Sequence, residues 1–285
     1  MADMEGGLVI DAAGRVACAP PPPVAALLFG RPVAEAAEML PRLFSLCRQT
    51  QAVAALLALG LGLPEGAGAA LNREILRDHL SRLLVLWPRL LDLPGAAMPE
   101  GWDAPAVARA AVFGPGRGCP ATLAELERWI AAGAGVAPLA GALRARFAPR
   151  VACSCGPDNS AAGRHAGATL LREIAGAWGQ GPLWRLAGRL LDIEAVLAGR
   201  MPPARRIAPG EAFAPSARGA YRLRVEVTEG RVTGLERRTP TDDMAAPGGT
   251  LEQALAMTPP ADRALVVTLF DPCVPVRFAA GACHA

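Results

Sequence analysis

The sequence predicts an α+β fold that is predominantly α, with a central helical body and a small β fringe formed by N- and C-terminal hairpins. Helical spacing of apolar residues dominates the middle of the chain, and alternating apolar and polar residues mark 222–238. Two short apolar runs also flank a turn near the N-terminus. We expect a single domain over 1–285, with the helical body at about 33–200 and the β fringe and functional site in 1–20 and 216–285.

The N-terminal hairpin is predicted by two apolar runs around a glycine turn. Residues 6–10 and 15–18 flank the turn, which ends in Gly14. The prolines at 20–23 then interrupt regular structure, because proline lacks an amide donor and has a fixed φ.

The helical body is predicted by segments with helical patterns. These segments are 33–62, 71–93, 104–112, 121–133, 138–147, 159–178, 182–198 and 250–257. We expect kinks at Pro41 and Pro88 inside the first two. Cys47 falls within the first helix, on the face that also carries Gln51 and Ala54.

The C-terminal part predicts the second hairpin and a closing segment. Residues 222–238 alternate around Glu229 and Gly230, which is the clearest hairpin pattern in the chain. Residues 264–270 are apolar and predict a buried strand or extended segment that leads to Cys273. If the two ends of the chain meet, both hairpins come together in one fringe.

Composition excludes several functions. All 29 basic residues are arginine, so lysine-based nucleophilic catalysis is excluded. The net charge of +3 is spread out and aromatic residues make up 5%, which argues against nucleic-acid binding. The longest apolar run, 52–63, is too short to span a bilayer, and the acidic N-terminus does not resemble a secretory signal. We therefore expect a cytoplasmic protein with no membrane span.

Seven cysteines make the thiols the most informative reactive groups. Cys47 on a predicted helix is compatible with a small packing residue, whereas Cys273 follows a proline and is better suited to bind a ligand. Cys153 and Cys155 have a spacing that can chelate a soft metal such as zinc, without a second pair at zinc-finger spacing. No catalytic triad or glycine-rich phosphate loop is present in the sequence pattern.

Residues 41–55 resemble the first ligand motif of [NiFe]-hydrogenase large subunits, Arg-x-Cys-Gly-x-Cys-x-x-x-His. Arg42 and Cys47 match the motif. Phe44 stands in place of the first cysteine, Ser45 in place of the glycine and Gln51 in place of the histidine.

Residues 271–279 resemble the family's second motif, Asp-Pro-Cys-x-x-Cys-x-x-His. Asp271, Pro272 and Cys273 match, while Val276 and Ala279 replace the second cysteine and the histidine. Only six residues follow Ala279, so we expect no C-terminal extension of the kind that is removed from catalytic precursors.

Three further stretches resemble the same family in the same order. Residues 4–10 resemble its N-terminal strand, with Glu5 on the acidic position. Residues 216–244 resemble its Arg-Gly hairpin region, and 250–259 resemble the short helix before the last motif.

The departures from the motifs select a subfamily. A nickel–iron centre in this family needs four thiolates, and only the bridging position Cys47 and the nickel-terminal position Cys273 remain. Nickel binding is therefore not expected. The chain most resembles the HupK-type (HoxV-like) hydrogenase expression/formation proteins, large-subunit-like maturation factors thought to act as scaffolds for the Fe(CN)2(CO) group.

The resemblance implies a site for that group. Cys47 and Cys273 would ligate iron transiently, because low-spin Fe(II) accepts soft thiolates. Arg218 and Thr241, which follows Pro240, would donate to the two cyanides. Tyr221 stands where the family has leucine, in the apolar wall around CO.

The implied function is non-enzymatic hydrogenase maturation. The implied partners are the Hyp-type maturation factors that make the iron group and the apo large subunit that receives it. Three alternatives stay open: a large-subunit mimic that binds maturation factors without metal, a degenerate hydrogenase large subunit, and a zinc-type site at Cys153 and Cys155.

Overall fold

A computed structural model describes residues 7–19, 23–43, 46–148 and 158–279. The helices are α1 Val24–Leu28, α2 Val33–Met39, α3 Arg48–Ala58, α4 Ala67–Leu80, α5 Trp87–Leu90, α6 Pro105–Phe113, α7 Leu123–Ala132, α8 Ala137–Phe147, α9 Ala161–Arg164, α10 Thr169–Trp178, α11 Pro182–Leu197, α12 Pro240–Met244, α13 Thr250–Ala256 and α14 Arg263–Phe270. Short 3₁₀ segments occupy Leu40–Arg42 and Pro260–Asp262, and a π-helical segment occupies Ser81–Leu86. The strands are β1 Leu8–Ile10, β2 Val16–Cys18, β3 Arg205–Ala208, β4 Glu211–Ser216, β5 Gly219–Thr228, β6 Arg231–Arg238 and β7 Val276–Phe278.

The helical body is built around α11. This helix carries buried apolar residues, including its leucines and Ile193, on nearly all of its sides. It packs against α4, α8, α9, α10 and α14. Three charged residues of α11 are nevertheless buried, namely Arg185, Arg189 and Asp192. Buried charges are stable only when they are paired, so α11 carries a polar network into the core.

Two separate sheets flank this body. In the three-stranded sheet, β1 pairs antiparallel with β2 and parallel with β7, with Leu8 opposite Val276. This pairing joins the N-terminal and C-terminal segments. The four-stranded sheet has the antiparallel order β3-β4-β5-β6, and β5 turns Tyr221, Leu223 and Val225 toward α3.

The predicted fold class, the N-terminal hairpin and the hairpin over 222–238 are confirmed. The two hairpins lie in different sheets, however, and the ends of the chain meet through β1 and β7. The predicted helix over 33–62 is interrupted between α2 and α3, and the one over 159–178 is divided into α9 and α10.

The prediction of a strand over 264–270 is wrong, because these residues form α14. The β-branched residues Val266 and Val267 favour a strand locally. In the fold, Arg263, Val266, Val267 and Phe270 share one buried helical face against α11 and α13, and this packing outweighs the local preference.

The π-helical segment leads into the expected irregularity at Pro88. Proline has no amide to donate to the Leu84 carbonyl, which instead accepts a hydrogen bond from the Ala96 amide at 2.8 Å. Over the described ranges, every helix is too short or too polar to cross a bilayer.

Candidate functional site

Cys47 lies in the turn that leads into α3, not inside a helix as predicted. Its backbone is left-handed, with φ 54°, and α3 begins at the next residue, Arg48. The Cys47 carbonyl accepts a hydrogen bond from the Gln51 amide at 3.0 Å. A non-glycine residue in this conformation costs about 1–2 kcal/mol, so the surrounding contacts must hold the turn in place.

Cys273 lies in a second turn with left-handed backbone. α14 ends at Phe270, Asp271 has φ 58°, and Pro272 cannot continue the helix. The chain passes Cys273 before it enters β7, so this cysteine lies outside regular helix and strand.

Thr241 contacts Cys273 through two hydrogen bonds. The Cys273 amide donates to Thr241 Oγ1 at 2.8 Å, and the Thr241 hydroxyl donates to Cys273 Sγ at 3.0 Å. Pro240 is the first residue of α12, and Thr239 caps this helix in a reciprocal capping box with Asp242. Thr241 is therefore buried on a short, well-capped helix that faces the Cys273 turn.

Arg218 connects the two cysteine segments. It lies between β4 and β5, is buried, and donates from Nη1 to Cys47 Sγ at 3.4 Å. Its Nε donates to the Asp271 main-chain carbonyl at 3.1 Å, and its Nη2 donates to Asp271 Oδ1 at 3.4 Å. One guanidinium thus contacts a thiol on one segment and holds the turn that carries the other thiol.

Further buried charges surround Arg218. Asp271 Oδ2 accepts hydrogen bonds from Arg82 Nε at 2.6 Å and from Arg189 Nη2 at 2.7 Å. Asp78 lies 3.3 Å from Arg82 and 3.7 Å from Arg218. Three guanidinium groups therefore face two carboxylates, and the Glu74 carboxylate, which accepts from the Thr50 amide, also acts on Cys47, so the charges of the two signs balance beside the thiols.

These charges set the protonation states at the site. Burial raises the pKa of the Cys47 thiol to about 12, although the Arg218 guanidinium opposes the rise. Burial alone would lower the pKa of Arg218, but Asp271 and Asp78 raise it above its usual value. Burial alone would also raise the pKa of Asp271. The guanidinium groups of Arg189, Arg218 and Arg82 outweigh the effect of burial and lower this pKa. Cys47 is thus a neutral thiol at pH 7, and a metal that binds it must displace its proton.

Tyr221 lies in the apolar wall below the cysteine turns. It is buried on the inner face of β5 in a cluster that includes Leu40 and Ala54. Burial raises the pKa of its hydroxyl, while the Arg237 guanidinium is near enough to oppose the rise. Gln51, which replaces the family's histidine, is also buried and donates to the Leu46 carbonyl at 2.9 Å.

The structure thus places Cys47 beside Arg218, and Cys273 beside Thr241, with Tyr221 in the adjoining core. Several residues singled out from the sequence lie outside the described residues, namely Glu5, Phe44, Ser45, Cys153 and Cys155. The predicted role of Glu5 and the alternative of a zinc-type site at Cys153 and Cys155 stay predictions.

Sequence reasoning missed the charged residues behind the cysteines. His79 is fully buried and lies between Arg189 and Asp192. A usable signal was the spacing of Arg185, Arg189 and Asp192, which puts three charges on one face of the otherwise apolar α11. Within the described residues, His, Cys, Asp and Glu side chains form no group of three or more that could hold a metal ion.

Comparison with known proteins identifies proteins that are similar to this chain in sequence and in fold. No family model matches the chain. It is 42% identical over 289 residues to the hydrogenase expression/formation protein HupK of Rhodobacter capsulatus, a match that covers 95% of this chain and 96% of that protein.

Solved hydrogenase structures share the fold. The Ni-Fe-Se hydrogenase from D. vulgaris Hildenborough in the as-isolated oxidized state matches with a TM-score of 0.56 and 13% identity, over 90% of this chain and 92% of that chain. The [NiFeSe]-hydrogenase from Dm. baculatum matches with a TM-score of 0.53 and 11% identity, over 90% and 93% of the two chains. At these identities the matches confirm the hydrogenase-like fold.

Proposed function

This chain belongs to the HupK family of hydrogenase expression/formation proteins, and on that premise we propose that it is a maturation factor for [NiFe] hydrogenases. It holds the Fe(CN)2(CO) group as cargo and passes it to the apo large subunit. It does so as a cytoplasmic scaffold or chaperone, without catalytic turnover and without nickel.

The observation that carries the proposal is the bridge made by Arg218. Its guanidinium lies 3.4 Å from Cys47 Sγ and also holds Asp271, two residues before Cys273. Two thiols from segments 226 positions apart in sequence therefore border one buried cation. Two soft ligands beside a fixed positive charge suit an iron group that brings its own diatomic ligands.

The chain's own residues supply three functions at this site. Cys47 and Cys273 bind iron as thiolates, and the Arg218 guanidinium beside Cys47 partly opposes the rise in the pKa of that thiol which burial causes. Arg218 and Thr241 are the polar donors at the thiols, and cyanide nitrogens are strong hydrogen-bond acceptors. Tyr221 contributes to the apolar wall that suits CO, a weak acceptor.

Reversible capture follows from the number of ligands. Four thiolates would build the bimetallic centre and retain the metal, whereas two can release it to a subunit that offers four. The proposed partners are accordingly the Hyp-type factors that deliver the group and the apo large subunit that receives it.

A complementation experiment tests the proposal. Cells that lack this protein are supplied with the wild type, Cys47→Ala, Cys273→Ala or the control Cys119→Ala, and hydrogenase activity is measured. We expect activity with the wild type and the control, since Cys119 lies on the α6–α7 connection, and loss of activity with both site variants.

The outcomes separate the alternatives. Full activity with Cys47→Ala contradicts the iron scaffold and favours a large-subunit mimic that binds maturation factors without metal. Hydrogen–deuterium exchange activity in the purified protein would instead indicate a degenerate hydrogenase. Metal analysis of a Cys153→Ala, Cys155→Ala double variant tests the zinc-type site.

A further inference from the structure

A closed ring of hydrogen bonds runs behind the two cysteine turns, and the carboxylate of Asp192 on α11 joins its two arms. Asp192 is fully buried. It accepts hydrogen bonds from Arg164 on α9, from His79 on α4 and from His165 just after α9. Burial alone would raise the pKa of Asp192, but Arg164 and the two histidines outweigh it and lower it.

The first arm leads to the turn that carries Arg218. Arg164 Nη1 donates to both Asp192 oxygens, at 2.7 and 2.5 Å. Its Nη2 donates to the carbonyls of Ser216 and Gly219 at 2.7 and 2.8 Å. A single guanidinium therefore fastens both ends of the Ser-Ala-Arg-Gly turn to Asp192.

The second arm leads to the turn that carries Cys273. Arg189 Nη1 lies 2.9 Å from His79 Nδ1, and an arginine can only donate, so Nδ1 is the acceptor. His79 Nε2 must then carry the proton and donate to Asp192 Oδ2 at 2.8 Å. Arg189 Nη2 continues to Asp271 Oδ2 at 2.7 Å, where Arg218 closes the ring.

We propose that Asp192 is a positioning residue that fixes the Arg218 turn and the Asp271–Cys273 turn relative to each other. This positioning role rests on the proposed function, because the two turns carry the proposed iron site. It concerns the alignment of the turns and not contact with the iron group. The ring joins α4, α9, α11, the β4–β5 turn and the segment after α14, which are far apart in sequence. Asp192 contacts both arms directly, through Arg164 and through His79.

Amide hydrogen exchange of the cargo-free protein tests this inference, because failure of the iron proposal leaves the exchange measurable. The reporters are amides in the two turns. The Arg218 amide donates to Ser216 Oγ at 3.3 Å, and the Cys273 amide donates to Thr241 Oγ1 at 2.8 Å.

Three variants separate positioning from general stability. We expect Asp192→Asn to speed exchange at least about tenfold in 216–221 and 270–274, since it removes the charge that anchors both arms. Arg164→Gln should speed exchange in 216–221 alone. The control Glu194→Gln, on the same helix as Asp192, breaks a 2.9 Å ion pair with Arg109 of α6 and should leave both turns unchanged.

Two results would overturn the inference. One is an Asp192→Asn variant whose faster exchange is spread evenly over α4, α9 and α11 without excess in the two turns. The other is an Arg164→Gln variant with unchanged exchange in 216–221, which decides the question even if Asp192→Asn does not fold.

Discussion

Replacing Thr241 by valine tests how tightly the Cys273 turn is held. Valine has nearly the same shape as threonine, so Thr241→Val removes the hydroxyl while the packing of this buried residue is kept. The hydroxyl accepts from the Cys273 amide at 2.8 Å and donates to its sulfur at 3.0 Å. Both bonds are lost together.

The expected loss of stability follows from the groups that are left without a hydrogen-bond partner. A buried amide without an acceptor costs about 1–3 kcal/mol, and a weak hydrogen bond to sulfur adds less. We expect Thr241→Val to lower the free energy of unfolding by about 2 kcal/mol, measured by urea unfolding followed by circular dichroism. Thr241→Ser keeps the hydroxyl and should recover most of the loss.

Thr268→Val is the matched control. Its hydroxyl donates to the Ala264 carbonyl of its own helix at 2.9 Å and is exposed, so we expect a change within about 0.5 kcal/mol. If Thr241→Val is no more destabilising than Thr268→Val, or if Thr241→Ser fails to recover stability, the hydroxyl does not hold the Cys273 turn.

Three further predictions concern the charges and the core. Arg218→Met should lower stability by about 2 kcal/mol in urea unfolding and reduce iron retained per chain about tenfold, because it removes the donor to Cys47; unchanged iron content would contradict its role. Gly188→Ala should destabilise the chain, since an added Cβ would lie 2.2 Å from Ala162 Cα, whereas Gly176→Ala in open space should stabilise it by about 0.5–1 kcal/mol; equal thermal midpoints would refute this packing. Burial lowers the pKa of His79, so the unfolded chain binds its proton more readily and stability should fall as pH drops below about 6.5. The lowered pKa of Asp271 adds a further loss below about pH 4; a urea midpoint that is flat from pH 7 to 4 would contradict the His79 prediction, and one that stays flat below pH 4 would contradict the Asp271 prediction.

The helices and hairpins could be predicted where local pattern and packing agree. The 222–238 hairpin is an example, since Leu223 and Val225 alternate with exposed arginines on β5. The strand predicted over 264–270 failed because burial against α11 outweighs β-branching there. The break in the helix before Cys47 could not be predicted, because left-handed backbone at a cysteine has no local sequence signature.

The site could be predicted in part through the family resemblance, which pointed to Cys47, Cys273, Arg218 and Thr241. The ring behind them could not, because its contacts join residues far apart in sequence. His79 and Asp192 are 113 positions apart, and Arg189 and Asp271 are 82 apart. Spacing along a helix can indicate which residues share a face, but it does not identify partners across the fold.

Infrared spectroscopy of the protein purified anaerobically, from cells that also produce the maturation factors, tests the central claim most directly. CO and cyanide stretches on a metal fall in a spectral window that proteins leave empty. We expect these bands in the wild type and in Cys119→Ser, and their loss in Cys47→Ser and Cys273→Ser. Absence of the bands from the wild type, or their persistence in both site variants, would contradict the claim that these two cysteines hold the iron group.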